Sequence, residues 1–278
     1  MLTPEGRSLL HDARSLLIKA NTLRARARGL GGGVELKVSI ALDPQFPLPV
    51  IAAALRAMQQ AYPTVGVETW TAPLGAGIAA LREKRCTLAI TAADLPDQAI
   101  DLEFLCNLRR AAVAAPHHPL ADAAASGARL MRHHLADHIQ IVVPDPSRLT
   151  AGQDFGVLSP GTWRASDNES KRALIIAGTG WGSLPLWLVA EDLAAGRLVR
   201  LPIAEFGAEG ETTIRAFLGR RADDRLGPAG NYLAQQLREL AAGAGCAADL
   251  RHPASDTHPS LPSGPSRLPD QSSARGLS

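Results

Sequence analysis

From Val34 to Ala242 the apolar residues switch repeatedly between a period of two and a period near 3.6, and this alternation restricts the chain to few architectures. Val34–Leu42 reads as a strand, and Leu48–Ala61 as a helix with Ile51, Leu55 and Met58 on one face. Val65–Thr71 is a second strand, Gly77–Lys84 a short helix and Thr87–Thr91 a buried strand. Leu102–Ala115 is extended, with Arg109 and Arg110 interrupting its apolar run, and a polar, alanine-rich stretch leads to a strand at Ile139–Val143. Helices follow at Lys171–Ala177, Leu186–Ala195 and Asn231–Ala242, and strands at Trp181–Leu184, Leu198–Leu201 and Ile214–Arg220. Strands alternating with helices predict mainly parallel sheets covered on both faces. The interruption at Arg109 marks the start of a second sheet, so two α/β lobes are expected.

Two flanking segments differ. Thr3 and Pro4 suit the N-cap and first turn of a helix running to Arg28. Leu9, Ala13, Leu16, Ala20, Leu23 and Ala27 recur at alternating spacings of four and three, a heptad seam that pairs with a copy of itself or another helix. The alternative is an amphipathic helix lying on its own domain. Gly29, Gly31, Gly32 and Gly33 end the helix and form a hinge. From residue 249 onward Pro and Ser replace apolar residues, which predicts a disordered tail over 249–278. The formal net charge of +2 is too small to give the whole surface an affinity for nucleic acid. No apolar run reaches a membrane span and no secretory signal pattern opens the chain. Cys86, Cys106 and Cys246 are odd in number and far apart, which fits a reducing, cytoplasmic compartment.

Enzyme signatures are sparse. The AGTGWG run around Gly178, Gly180 and Gly182 follows a helix and precedes a strand, the reverse of a dinucleotide fingerprint. His134 and His138, four apart in HHLADH, would share a helix face, but no third metal ligand accompanies them. No nucleophile elbow or phosphate loop is present, so neither an enzyme nor a cofactor is expected. Two helix starts are more informative. Ser166-Asp167-Asn168-Glu169 fits a capping box, and such N-termini at a cleft can also hold anions. Asp43-Pro44-Gln45 closes the first strand at the carboxyl end of the expected sheet, where open α/β folds bind ligands.

The order of these pieces resembles the LysR-type transcriptional regulators. LTPEGRSLLHDAR is similar to the start of that family's linker helix. VSIALDPQFPLPVIAAALRAMQQAYPTVGVE and TLAIT resemble its first lobe, VAAPHHPLA the early second lobe, and ALIIAGTGWGSLPLWLVAEDLAAGRLVRLP its glycine-rich second-lobe segment. The resemblance implies a two-lobed effector domain like the type 2 periplasmic binding proteins, preceded by a long linker helix. Residues 1–33 would be the linker and hinge, and 34–248 the effector domain, with lobe 1 about 34–108 plus 201–248 and lobe 2 about 109–200. A small-molecule effector would sit between the lobes against Asp43, Pro44, Gln45, Thr71, Thr91, Asp145, Ser147, Ser166 and Asp167, and the chain would self-associate as a dimer or tetramer.

There are two departures from the family pattern. Asp43 stands where Ser or Thr is common, so either its carboxylate points away or the effector is neutral or cationic. The family's winged helix-turn-helix has no counterpart here, so DNA would be contacted only through such a domain encoded upstream or supplied by a partner. A solute receptor of the same fold, and a headless partner of full-length regulators, are the alternatives.

Overall fold

The computed structural model describes residues 33–95, 97–150, 153, 155–207 and 210–243, together with residues 3, 13, 16, 17, 19 and 20. Ala13, Leu16 and Ala20 are helical and exposed. Leu9, Leu23, Ala27, the glycines at 29–32 and the expected tail at 249–278 lie outside the described residues.

Three parallel strands, β1 (Lys37–Leu42), β2 (Gly66–Thr71) and β3 (Leu88–Thr91), form one end of the main sheet, connected through α1 (Leu48–Ala61) and α2 (Ala76–Arg82). Pro47 and Pro49 start α1 where no intrahelical donor is needed, and Val50, Ile51, Ala54 and Met58 bury its apolar stripe. β4 (Ile100–Ala114) then crosses the molecule. After it come α3 (Pro119–Ala125), β5 (Gln140–Val142), β6 (Thr162–Arg164), α4 (Asn168–Ile176), β7 (Gly182–Pro185), α5 (Leu186–Ala194) and β8 (Val199–Arg200). β9 (Glu211–Arg221) returns antiparallel to β4, and α6 (Pro228–Gly243) packs back beside α1.

The main sheet runs β2-β1-β3-β9-β4-β7 with β8 also on β4, and β5 pairs with β6. Two expectations are corrected here. The sheet is mixed: β1 pairs in parallel with β2 and β3, but β9, β7 and β8 all pair antiparallel. Arg109 and Arg110 do not interrupt β4, nor does a second sheet start there. They pair with Thr213 and Thr212 in a ladder that runs without a shift from Cys106 to Ala111. Their side chains leave on opposite faces, as strand geometry requires. Arg109 goes to the Glu211 carboxylate, whereas Arg110 goes to the carbonyl of Ser183.

The apolar interior falls into two halves strung on β4 and β9. Ile40, Met58, Leu88, Leu108, Leu218 and Leu233 pack on one face of the parallel end, and Ile78, Leu81 and Ile100 on the other. Beyond Leu108 the same strand feeds a different core. Ala111 and Val113 join Ile141, Ile175, Leu184 and Val189, while Ala112 and Ala114 join Leu130, Leu135, Trp181 and Leu201. The fold is thus a two-lobed α/β body, with the β4–β9 ribbon continuous through both lobes. No helix among the described residues is long and apolar enough to cross a membrane.

Candidate functional site

The site is organised at the carboxyl ends of β1, β2 and β3. Leu42 lies beside both Thr71 and Ile90 in the register, so the loops after all three strands emerge together. Asp43, only 2% exposed, ties them. One oxygen accepts from the Gln45 N–H (2.9 Å), and the other from Leu74 and Ala92 (3.1 Å each). One donor therefore comes from each loop. Burial pushes the Asp43 carboxyl up to about 6, opposed by these three N–H groups and by the charge of Arg110. Of the two readings of Asp43, its carboxylate pointing away into the backbone is the one the geometry takes.

Opposite this edge lie the second-lobe segments. Gly75 N–H donates to an Asp145 oxygen at 3.0 Å. A side chain at 75 would meet that oxygen at 2.7 Å and the Ser147 hydroxyl at 2.8 Å, so only glycine allows the approach. Asn168 donates to the Pro44 carbonyl (2.9 Å), and the Trp187 indole to the Gln45 carbonyl (2.8 Å). Three hydrogen bonds thus close the seam between the lobes. Beside it, a cavity of about 230 Å³ is lined by Leu74 from lobe 1 and by Val142, Asp145, Ser147, Thr150 and Arg164 from lobe 2.

The expected residues divide accordingly. Pro44 and Gln45 face the seam through their carbonyls, and Asp145 and Ser147 line the cavity. The Asp145 oxygens are already engaged by Gly75, Ser147 and Thr150. Thr91 is fully buried, donating to the Leu74 carbonyl and accepting from Ala93, so it fixes the loop after β2. Thr71 is exposed at the end of β2. The capping box at Ser166 does not form as expected. Asp167 caps α4, accepting from Ser170 N–H at 2.7 Å, and Ser166 donates to Asp167 instead. These bonds hold the Asp167 carboxyl below the usual carboxylate range. His134 and His138 do not share an α-helix face: His134 sits in a 3-10 turn and its ring accepts from Met131 N–H, while His138 lies against His118.

The sequence reading missed a buried lysine beside the second-lobe core. Lys171 on α4 is 4% exposed. Its stem crosses Gly182, where an added Cβ would meet Lys171 Cε at 2.7 Å. Burial, and then the like charge of Arg110, hold it well below the ordinary lysine range. Arg110 donates through Nη2 to Ser183 O (3.1 Å), but its buried Nε has no partner, and burial brings the guanidinium down to about 10 against the pull of Asp43. The Ser183 hydroxyl and Gln45 Oε1 are also buried without partners. Unpaired buried polar groups are rare enough in folded proteins to ask for a reason.

A two-lobed α/β body closed over a polar seam is the architecture of a solute- or effector-binding domain. A profile of the LysR substrate binding domain matches residues 31–242, and the chain belongs to that family. It is 28% identical over 201 residues to the uncharacterized HTH-type transcriptional regulator YeeY of Escherichia coli K12, spanning 71% of this chain but 64% of the relative. Among solved structures it resembles the regulatory domain of MetR, a LysR family regulator from N. meningitidis, with a TM-score of 0.59, 20% identity and coverage of 75% and 94% of the two chains. Full-length LysG from Corynebacterium glutamicum with bound effector Arg superposes with a TM-score of 0.56 at 18% identity, covering 86% of this chain and 79% of that one.

Proposed function

We propose that this chain is the effector-sensing part of a LysR-type transcriptional regulator, binding a small molecule between its lobes to control transcription. The family match across residues 31–242 carries the reading. The seam supports it: three hydrogen bonds between the lobes can open and re-form around a ligand, as hinge closure requires. LysG, a structural relative, carries a bound effector, Arg. Lobe 1 would comprise about 34–108 plus the chain after lobe 2, and lobe 2 about 109–200. The change of core between Leu108 and Ala111 supports the first boundary. Asp43, Pro44, Gln45, Thr71, Thr91, Asp145, Ser147, Ser166 and Asp167 frame the site, with Asp43 and Thr91 acting through the loops they hold. The exposed helical residues Ala13, Leu16 and Ala20 would contribute to self-association, with Leu16 66% exposed. The compartment would be the cytoplasm, the chain would not be an enzyme, and DNA would be reached only through a helix-turn-helix encoded upstream or supplied by a partner.

A thermal-shift screen of metabolites tests this. A ligand at a hundred times its dissociation constant adds about 2.7 kcal/mol to stability. A library of small metabolites that leaves the melting temperature unchanged would contradict the sensor reading.

A further inference from the structure

The loop after β2 holds a backbone conformation that its sequence does not favour. Leu74 has φ 52°, in the left-handed region where a Cβ is crowded by the following carbonyl. Among the described residues Lys84 is the other non-glycine at positive φ (57°), and the end of a helix explains it. It follows α2, where a left-handed residue is a common stop, and the Lys84 and Arg85 N–H groups donate to the Leu81 and Ala80 carbonyls. Leu74 ends no helix. It is the first central residue of a turn closed by the Ala76 N–H on the Pro73 carbonyl (3.1 Å), and at positive φ that position favours glycine. The turn does contain a glycine, one residue later. Gly75 has φ −70° and ψ −12°, which any residue adopts, and only the close approach of Asp145 and Ser147 requires it. Leucine thus stands where glycine would be easier.

Two buried side chains hold it there. Asp43 accepts from the Leu74 N–H at 3.1 Å, and Thr91 donates to the Leu74 carbonyl at 3.0 Å. A sparsely populated conformation that persists because its surroundings fix it is a pointer to function. Core packing does not account for the side chain. Leu74 is half-buried, and among the described residues it belongs to none of the four apolar clusters. It lines the cavity of about 230 Å³ instead, as the one described residue of lobe 1 in a wall otherwise built by lobe 2.

Resting on the effector-site reading, we propose that Leu74 is a specificity-determining residue: held by Asp43 and Thr91, it forms the lobe 1 wall of the cavity and limits the size of the apolar group an effector carries there. The lobe 2 walls offer apolar contact through Val142, Phe155 and Val157, and polar groups through Ser147, Thr150 and Arg164. The ligand class is therefore a small molecule with a polar head and a compact apolar group.

The test is calorimetric titration of the full chain with three series of probes, each keeping one head charge while the apolar part grows. They are acetate, butyrate and hexanoate; glycine, valine and phenylalanine; and ethylamine, butylamine and hexylamine. In the series that binds, the wild type should accept members only up to a limiting size. Leu74→Gly should move that limit to a larger member, improving its affinity about tenfold or more, and Leu74→Phe should move it to a smaller one. Leu74→Gly should also leave the melting temperature of the ligand-free protein unchanged or raise it, because the strained backbone is relieved. A leucine that served only to pack would lower it by several degrees on the same change. That lowering, or the same order of binding in the wild type and both variants, would overturn the assignment to Leu74 while leaving the effector reading standing. Binding by members of the metabolite library with none from the three series would do the same. No binding by the series or by the library would count against both.

Discussion

Asp43→Asn separates a structural carboxylate from a ligand-binding one. The buried Asp43 carboxyl is raised from 3.8 to about 6, so between those values the native state holds a proton that the unfolded state has released. The native state then binds more protons than the unfolded, and stability falls as pH rises through this window. Between pH 5.0 and 7.5 that loss integrates to about 1.4 kcal/mol. Asparagine does not titrate and should remove this slope. The amide also places its NH₂ against at least one backbone donor, Gln45 if the carbonyl oxygen stays on the side of Leu74 and Ala92. That subtracts about 1–3 kcal/mol at every pH. Urea unfolding followed by tryptophan fluorescence at the two pH values reads both effects. The wild-type midpoint should move relative to the variant's by roughly half a molar, with an unchanged m-value. A wild-type and variant pair whose stability difference is the same at pH 5.0 and 7.5 would refute the assignment of Asp43 as a buried, destabilised acid.

Asp192 behaves in the opposite sense. It is fully buried and accepts from Arg172 (2.9 Å to Nη2) and Arg197 (2.6 Å), which hold its carboxyl below the usual range. Its contribution is present above the unfolded carboxylate value and lost as pH falls through the lowered one. Asp192→Asn should destabilise lobe 2 by about 3 kcal/mol at pH 7 and flatten the acid limb of the stability curve. Removing the seam's side-chain donors together, Asn168→Ala with Trp187→Phe, forfeits two hydrogen bonds, about 2 kcal/mol, and hydrogen exchange in residues 43–46 should speed up about thirtyfold. Gly75→Ala should push Asp145 off the Gly75 N–H and separate the lobes, seen as a larger radius of gyration in solution scattering. Leu16→Asp should reduce the size of any oligomer in light scattering, since it charges an exposed position of the proposed heptad seam.

Much of the fold was readable because its elements are locally self-consistent. Leu48–Ala61 coincides with α1, since Pro47 and Pro49 mark its start and Ile51, Leu55 and Met58 keep one face apolar. Strand direction was not readable. β9 shows the same apolar run whether it pairs in parallel or antiparallel, and the long return after β8 decides it. The three residues of β6 and the seven of α3 are too short to show a period. At the site, Asp43 was found by its place after the first strand, although its work is to hold loops. Arg110 and Lys171 were visible but misread. A charge inside the apolar run of β4 was taken as a break, and Lys171, four residues before Ile175 on the buried face of α4, was counted only as part of a helix. In both cases a charge on an apolar face was itself the signal.

The most direct test of the account is a crystal structure of the protein with the strongest ligand from the thermal-shift screen. The predicted result is a small molecule between the lobes, in contact with the Pro44–Gln45 turn and the Asp145–Ser147 segment. A ligand bound only outside the seam and its adjoining cavity would contradict the effector reading.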